Sequence, residues 1–414
     1  MLEVENINNK VMIDIKYSDL SDQVGFHSIY LSRLKNKSDE SQGKLEFDFQ
    51  KNWIVLTSYN GYGFFRTRVK CDNKGFHDKF VTPVVVDVKD MQSIIKSFDA
   101  FKLDTIVIDC SDSSLGLRLP PTSTKKVKNS VRIYDHSFGR ITSKEKIRNI
   151  SDIDVEFFSS ILSRVISTNL FTDSGSYFDF LSLVINDSYC RATSGNGSFF
   201  SSIKWNKSEA FNESGSWSFS IITIAMMLKI IKKSKPSKLV ITEYANCIKF
   251  KLDSFEIISL DKFSSRWPDV DSIIKRNNDI VVLIDGNSAK LMRDFLIPVL
   301  DQSQRDKIDI PSVSLLFDLS ENASIEVQSN FHKEMYFTLD GNFVSVGKNE
   351  NNISVFSCDI SLKSLIDSLS VSSCTNGVEF KLSKEDFNGH SSPVLVEHID
   401  DDDSQFCSFF AQVS

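Results

Sequence analysis

Apolar and polar positions along the chain follow two periods, and the order in which the periods alternate is itself repeated. Lys44–Phe49 (KLEFDF) alternates residue by residue, as a strand with one buried face does, while Asp154–Leu170 (DVEFFSSILSRVISTNL) is apolar at helical spacing. A strand run, a helix run and a hydrophobic strand run follow one another three times, at Phe80–Leu119, Trp217–Leu252 and Val355–Leu382. The copies begin about 137 residues apart, so the chain reads as three similar modules.

Each copy is preceded by a front half of the same kind. VMIDIKY leads to a helix expected over Asp19–Lys35 and then to KLEFDF and NWIVLTSYNGYGFFRTRV. The helix of Asp154–Leu170 leads to FDFLSLVIND and YCRATSGNGSFFSSIKW. VVLID leads to a helix over Ser288–Leu300, then to VSLLFDL and strands through HKEMYFTLDGNFVSV. Both halves of a module therefore carry a β-α-β-β-β order, an α+β arrangement in which two sheets and two helices form layers. The turn Thr57–Phe65 (TSYNGYGFF) is echoed at Ala192–Phe200 (ATSGNGSFF). Punctuation places the domains at 1–135, 136–278 and 279–414. Pro120–Asn149, with Pro120-Pro121 and an excess of Lys and Arg, reads as a linker plus the first strand of module two, and Lys275–Asp279 as the next join.

At 414 residues the chain exceeds what one core usually supports, and a prior of roughly 150 residues per domain gives about three. The first residues, MLEVENINNKVMIDIKY, show no signal-peptide pattern, and no apolar run reaches the ~20 residues of a bilayer span, so no membrane role is expected. No two of the seven cysteines lie within three residues of each other, and most fall in apolar runs, the pattern of reduced, buried thiols in a cytoplasmic protein. His398 with Asp400–Asp403 could be imagined as a cation site, but a run of four Asp before a final strand reads as a solvated loop, and no metal or cofactor is expected. Motifs for phosphate-binding, hydrolase or metalloprotease chemistry are missing from the sequence, so no enzyme is expected. Asp109–Asp112 reads as hairpin chemistry. The richness in Ile, Lys, Asn, Ser and Phe fits an AT-rich genome, a bacteriophage's among them.

The net charge of −7 argues against a nucleic-acid partner, but its distribution argues for one. Ser214–Thr242 holds five lysines and no acid, and Lys229, Lys232 and Lys233 share a helix face. Arg33, Lys35, Lys96, Arg164, Lys290 and Arg293 lie on the other expected helices. A lysine closing a helix needs no ligand, since the carbonyls and dipole there suffice; the cluster as a whole favours a DNA-facing surface.

The triple repeat of paired halves, the length, ATSGNG, SRWPDVDSII and the closing SSPVLVEHIDDDDSQFCSFFAQVS together resemble the bacterial-type sliding clamp, the beta subunit of the replicative DNA polymerase. That resemblance implies a head-to-tail homodimer whose six domains form a ring, helices lining the hole and sheets outside. Duplex DNA would be encircled without regard to sequence. Polymerase and clamp loader would dock short linear peptide motifs between domains two and three. Carried over, the pocket comprises Leu181, Thr193, Gly195, Pro268, Ile273, Ser392, Phe410, Ala411 and Gln412. The family usually continues Asp-Gly-His-Arg after the threonine and ends Met-Pro-Met-Arg-Leu. Here Ser194–Gly197 and FAQVS stand instead, which implies a reshaped groove. A clamp-like adaptor that does not encircle DNA is the alternative reading.

Overall fold

The computed structural model describes residues 11–32, 43–72, 83–111, 113–134, 138, 145–167, 180–195, 199–207, 211, 214–260, 280–309, 311–332, 334–340, 344–349, 353–370, 376–382, 394–398 and 405–410. They divide into two compact units, 1–156 with 222–262 and 157–221 with 263–414.

In the first unit, β1 (Val11–Lys16) enters α1 (Tyr17–Tyr30), followed by β2 (Lys44–Phe49), β3 (Trp53–Tyr59) and β4 (Gly63–Asp72). The back half repeats the order with β5 (Val84–Asp87), α2 (Val88–Phe98), β6 (Thr105–Cys110), β7 (Ser114–Arg118) and β8 (Lys128–Arg132). The unit also holds β9 (Lys146–Ile153), most of α4 (Ile221–Ser234), and β14 (Leu239–Tyr244), β15 (Ile248–Leu252) and β16 (Phe255–Ser259).

The second unit holds most of α3 (Val155–Ser167), with β10 (Phe180–Ile185), β11 (Tyr189–Gly195), β12 (Phe199–Asn206) and β13 (Gly215–Ser220). It continues with β17 (Ile280–Ile284), α5 (Gly286–Arg305), β18 (Ser312–Asp318), β19 (Ser324–Ser329), β20 (Tyr336–Leu339) and β21 (Val344–Asn349). Last come β22 (Val355–Ser361), α6 (Leu362–Ser370), β23 (Val378–Leu382), β24 (Val394–His398) and β25 (Gln405–Phe410). The β-α-β-β-β order expected of both halves is thus observed in all three modules, with β21 added in the third.

Pairing shows why the halves belong together. In the first module β1 pairs with β6 and β2 with β5; in the third, β17 pairs with β23 and β18 with β22. The middle module makes the same two exchanges, β9 with β14 and β10 with β13. The first strand of each half thus lies beside the second strand of the other, a local two-fold relation that lets two similar half-sequences cover each other's edges.

A second rule links successive modules. The last strand of one front half pairs with the last strand of the next back half: β4 with β16 in the first unit, β12 with β25 in the second. The contact at β4 is close, since a Cβ on Gly63 would stand 2.3 Å from the Ile258 carbonyl oxygen. These ladders fuse each outer module to half of the middle one, so the compact units divide inside the middle module and not at the punctuation read from the sequence.

Helices form where caps and apolar stripes agree. Asp87 caps α2 by accepting from the N–H groups of Lys89 and Asp90, and Asp285 caps α5 through Asn287 and Ser288. The Ser288 hydroxyl bonded to Asp285 holds that carboxyl below its ordinary value. Val88, Met91, Ile94, Ile95 and Phe98 form the buried stripe of α2.

Three expectations need correction. The helix expected over Asp19–Lys35 ends at Tyr30, where the Leu31 N–H closes on the His27 carbonyl, so Arg33 and Lys35 fall beyond it and outside the described residues. The helix expected over Ser288–Leu300 runs on to Arg305 through the exposed Pro298, because Asp285 caps it and Met292, Leu296 and Val299 anchor it. The stretch read as linker contains β8, whose KNSVR hides its strand character: on a sheet edge only Val131 is buried.

Cys71, Cys110, Cys190, Cys247 and Cys358 are buried. Ser111 closes the β6–β7 hairpin on Ser114, and the buried Asp109 pairs with Lys128 at 3.0 Å. His398 is buried in β24, with Nε2 2.8 Å from the Ser368 carbonyl oxygen, and Asp400–Asp403 lie outside the described residues. No described helix is long and apolar enough to cross a membrane.

One histidine sits at the centre of the first unit's core. His27 on α1 is fully buried, with Nδ1 2.8 Å from Ser58 Oγ, Nε2 3.1 Å from Thr67 Oγ1, and its ring 4.7 Å from that of Phe65. Burial pushes its pKa from 6.5 down to about 3. Because the folded value lies below the unfolded one, the unfolded chain takes up the extra proton as pH falls. The stability that neutral His27 supports is complete above about pH 6.5 and is lost as pH drops toward 3. We expect about 2 kcal/mol less stability at pH 5 than at pH 7 from this group, and a flatter profile in His27→Gln. Urea unfolding of both proteins at the two pH values measures this; equal slopes would remove His27 as the cause.

Candidate nucleic-acid and peptide interfaces

The first unit gathers the strongest basic feature on one helix. Along α4, Ile222, Thr223, Ile224, Met226, Met227, Ile230 and Ile231 are buried, which leaves Lys229, Lys232 and Lys233 exposed with no acid on the helix. Lys233 has a structural task as well: its Nζ lies 4.8 Å over the ring of Phe26 on α1, whose ring in turn meets Phe255 of β16 at 4.8 Å. Such a cation–aromatic contact contributes roughly 0.5–1 kcal/mol at an exposed site. It ties α1 to α4 beside the β4–β16 join. Sequence spacing put the three lysines on one face; it carried no sign that one of them is engaged by an aromatic ring of another module.

The remaining basic residues are less uniform than the sequence implied. Lys96 on α2 and Lys290 on α5 are exposed, and Arg164 on α3 is half-buried. Arg293 directs Nε and Nη2 to Asp294 Oδ1 at 3.0 and 2.7 Å, so its charge is largely offset by its neighbour. In its described range α1 carries Asp19 and Asp22 and no lysine or arginine. The cationic surface is therefore centred on α4, with Lys96 and Lys290 as separate contributions.

In the second unit, the residues carried over for a peptide pocket fall on adjacent strands. Thr193 and Gly195 end β11, Gly195 pairs with Phe200 of β12, and Phe199 and Phe200 pair with Phe410 and Phe409 of β25. Phe410 also pairs with Val394 of β24, so its backbone lies inside the sheet. The Thr193 hydroxyl is 3.1 Å from that of Ser202 on the neighbouring strand.

Leu181 does not share the face of Thr193 and Gly195. Its strand neighbour Ser182 pairs with Thr193, and the pleat turns consecutive residues to opposite sides, so Leu181 lies on the side of Ser194. On that side Ser194 and Ser201 donate to the Val165 carbonyl of α3, and Leu181 is fully buried. Leu181 is thus core beneath α3. Pro268, Ile273, Ser392, Ala411 and Gln412 lie outside the described residues.

Among the described residues no group of His, Cys, Asp and Glu has the arrangement of a metal site. The buried ionisable groups are explained by local structure: burial pushes the Cys190 thiol up to about 11 and the Asp367 carboxyl up to about 6.

No family model and no curated protein matches the chain in sequence. Solved structures do match it in fold along nearly its whole length. The DNA polymerase III beta subunit of Thermotoga maritima superposes with a TM-score of 0.75 at 11% identity, covering 97% of this chain and 99% of that one. The beta sliding clamp of Caulobacter crescentus gives 0.76 at 12%, covering 98% and 100%. A DNA polymerase III beta subunit of Eubacterium rectale gives 0.74 at 16%, covering 97% and 99%. Three modules of paired β-α-β-β-β halves, joined by strand pairing from each module to the next, give this chain the fold of the bacterial DNA polymerase III beta subunits, the sliding clamps.

Proposed function

We propose that the chain is a DNA polymerase processivity factor: a sliding clamp that pairs with a second copy to encircle duplex DNA and tethers its partners by peptide docking. The modules of this reading are 1–135, 136–278 and 279–414. The observation that carries it is the pair of edges left over by the join rule. The last front-half strand of the third module, β20, ends the sheet β20-β19-β18-β22, and the last back-half strand of the first module, β8, ends the sheet that continues through β7, β6 and β1. These are the strands that would meet if the rule obeyed by β4–β16 and β12–β25 were applied once more, between copies. Two copies joined head to tail through both such pairs close six modules.

The two edges differ in charge as partners should. Around β8 stand Lys125, Lys126, Lys128 and Arg132; around β20 stand Glu326, Glu334 and Asp340, with Tyr336 61% exposed. Within such a ring, Lys229 and Lys232 on α4, with Lys96 and Lys290, supply contacts to phosphates that are weak, sequence-blind and salt-sensitive, which is what sliding requires. The sheet end that carries Thr193, Gly195 and Phe410 is our choice for docking polymerase and clamp loader. No catalytic step is asked of the protein, and its place of work is wherever the replicating DNA is.

The native mass in solution is expected to be close to twice 46.9 kDa. Light scattering that finds only monomer at micromolar concentration, with and without DNA, would favour the adaptor reading.

Lys229→Glu, Lys232→Glu and Lys290→Glu together should leave the fold intact and cut retention on nicked circular DNA by about tenfold or more at moderate salt, since each lost phosphate contact lowers binding and its salt dependence. Lys233 is left out because reversal would break its contact with Phe26. Retention equal to the parent protein would move the DNA surface elsewhere.

Deleting residues 411–414 keeps the β12–β25 and β24–β25 ladders, which end at Phe410. The deletion should weaken binding of a fluorescein-labelled pentapeptide with two hydrophobic anchors about tenfold, while native mass and DNA retention stay unchanged. Unaltered anisotropy curves would exclude the tail from the pocket.

A further inference from the structure

The sheet at the β4–β16 join has a second face, turned away from α1, and it carries a row of charge. Glu46, Thr57, Arg66, Glu256 and Lys251 are successive cross-strand partners on β2, β3, β4, β16 and β15. Beside them run Asp48, Val55 and Arg68, again on neighbouring strands. These residues floor a cleft of about 990 Å³ whose walls include Trp53, Pro83 and Phe138. Trp53 is 41% exposed, a large indole left facing solvent on a sheet whose opposite face is packed solid.

The acids in the cleft are already engaged. Glu46, buried, accepts a hydrogen bond from the Phe138 N–H at 2.8 Å; Asp48 accepts from Gln50 Nε2 at 3.0 Å; Asp253 accepts from the Ser237 N–H at 2.8 Å; and Glu256 stands 3.9 Å from Lys249. The arginines are not engaged in this way. Among the described residues neither Arg66 nor Arg68 makes a hydrogen bond or an ion pair, although Arg66 is half-buried and near enough to Glu46 to oppose its protonation. Among the described residues the cleft's open cationic groups are therefore the guanidinium forks of Arg66 and Arg68, whose Cα positions on one strand are about 7 Å apart, and the exposed Lys251 ammonium, with an exposed indole beside the forks.

We propose that this cleft docks an extended acidic peptide segment of a protein partner, with one or two carboxylates on Arg66 and Arg68 and an aromatic or aliphatic side chain against Trp53 and Val55. Guanidinium forks match carboxylates bidentately and stack well beside aromatic surface. Length fits a peptide better than a lone carboxylate: from β2 to β15 the row crosses four strand spacings, about 19 Å, which is roughly six extended residues. A nucleic-acid backbone, with a phosphate at every step along the row, would set anions against Glu46, Asp48, Asp253 and Glu256 as well as against the bases, whereas a peptide can place its carboxylates on the arginines alone. The site stands apart from the reading of α4 and of the β11–β25 sheet end, and it does not depend on the protein's being a clamp.

The test uses the full-length protein and a fluorescein-labelled hexapeptide, Ser-Phe-Asp-Asp-Leu-Ser, followed by anisotropy. Saturable binding is expected, weakened about tenfold or more when both aspartates are replaced by asparagine and by the same order in the Arg66→Ala, Arg68→Ala double variant. A tenfold loss corresponds to about 1.4 kcal/mol. Trp53→Phe should lose a smaller factor. Arg66→Lys with Arg68→Lys keeps both charges and the fold and removes only the forks, so an affinity between parent and double-alanine variant is expected even if the latter folds poorly. Native mass and retention on circular DNA, measured on the same variants, should match the parent protein, and a failure of the clamp reading would show in those two quantities alone. No saturation by about 1 mM peptide, equal affinity for the asparagine peptide, unchanged affinity in both arginine variants, or stronger competition by a single-stranded 12-mer than by unlabelled peptide would each overturn the assignment.

Discussion

Strand pairing at the ends of half-modules is the interaction on which the rest of this structure depends. A β-α-β-β-β half has exposed backbone donors and acceptors along its outer strands, and a sheet edge left open invites unwanted pairing. Within a module the first and second strands of the two halves exchange partners; between modules the last strands pair. Each pairing hides an edge that the repeat itself creates. Gly63 marks how close the join between modules is, since a side chain there would meet the Ile258 carbonyl across the ladder.

The helices follow from that arrangement. One face of each sheet is covered by helices whose apolar stripes match it, as α2 does with Met91, Ile94, Ile95 and Phe98 and α5 with Met292, Leu296 and Val299. What a helix does not bury is free to carry function, and α4 uses this freedom most fully, with three lysines and no acid on its exposed side. The same economy governs the other face of the β4–β16 sheet. Alternation along β4 sends Phe65, Thr67 and Val69 inward and Arg66 and Arg68 outward, so a strand built for packing also lays guanidinium groups along a cleft.

Polar burial is handled locally. Burial away from water keeps His27 neutral, and its two ring nitrogens lie within hydrogen-bonding distance of the Ser58 and Thr67 hydroxyls. In the middle module the corresponding place beneath α3 is met by two serine hydroxyls donating to one carbonyl. The same backbone frame thus accepts different polar solutions in different copies. This is how sequence identity between copies can fade while the frame persists.

The amino-acid sequence by itself determined the repeat, the order of elements in each half and the grouping of lysines on α4, because periodicity and charge are local properties that survive without any knowledge of neighbours. It placed the end of α1 too late and missed β8, since a helix stop made only of backbone closure and an edge strand with one buried residue leave almost no pattern. It grouped Leu181 with Thr193, but strand register turned them to opposite faces, and a difference of one residue in register cannot be read from either strand alone. Only tertiary structure decided that Lys233 lies on Phe26, that Arg293 spends its charge on Asp294, and that Arg66 and Arg68 line a cleft with Trp53. Those facts depend on which strands and helices from distant parts of the chain are brought side by side, and long-range pairing leaves no trace in local composition.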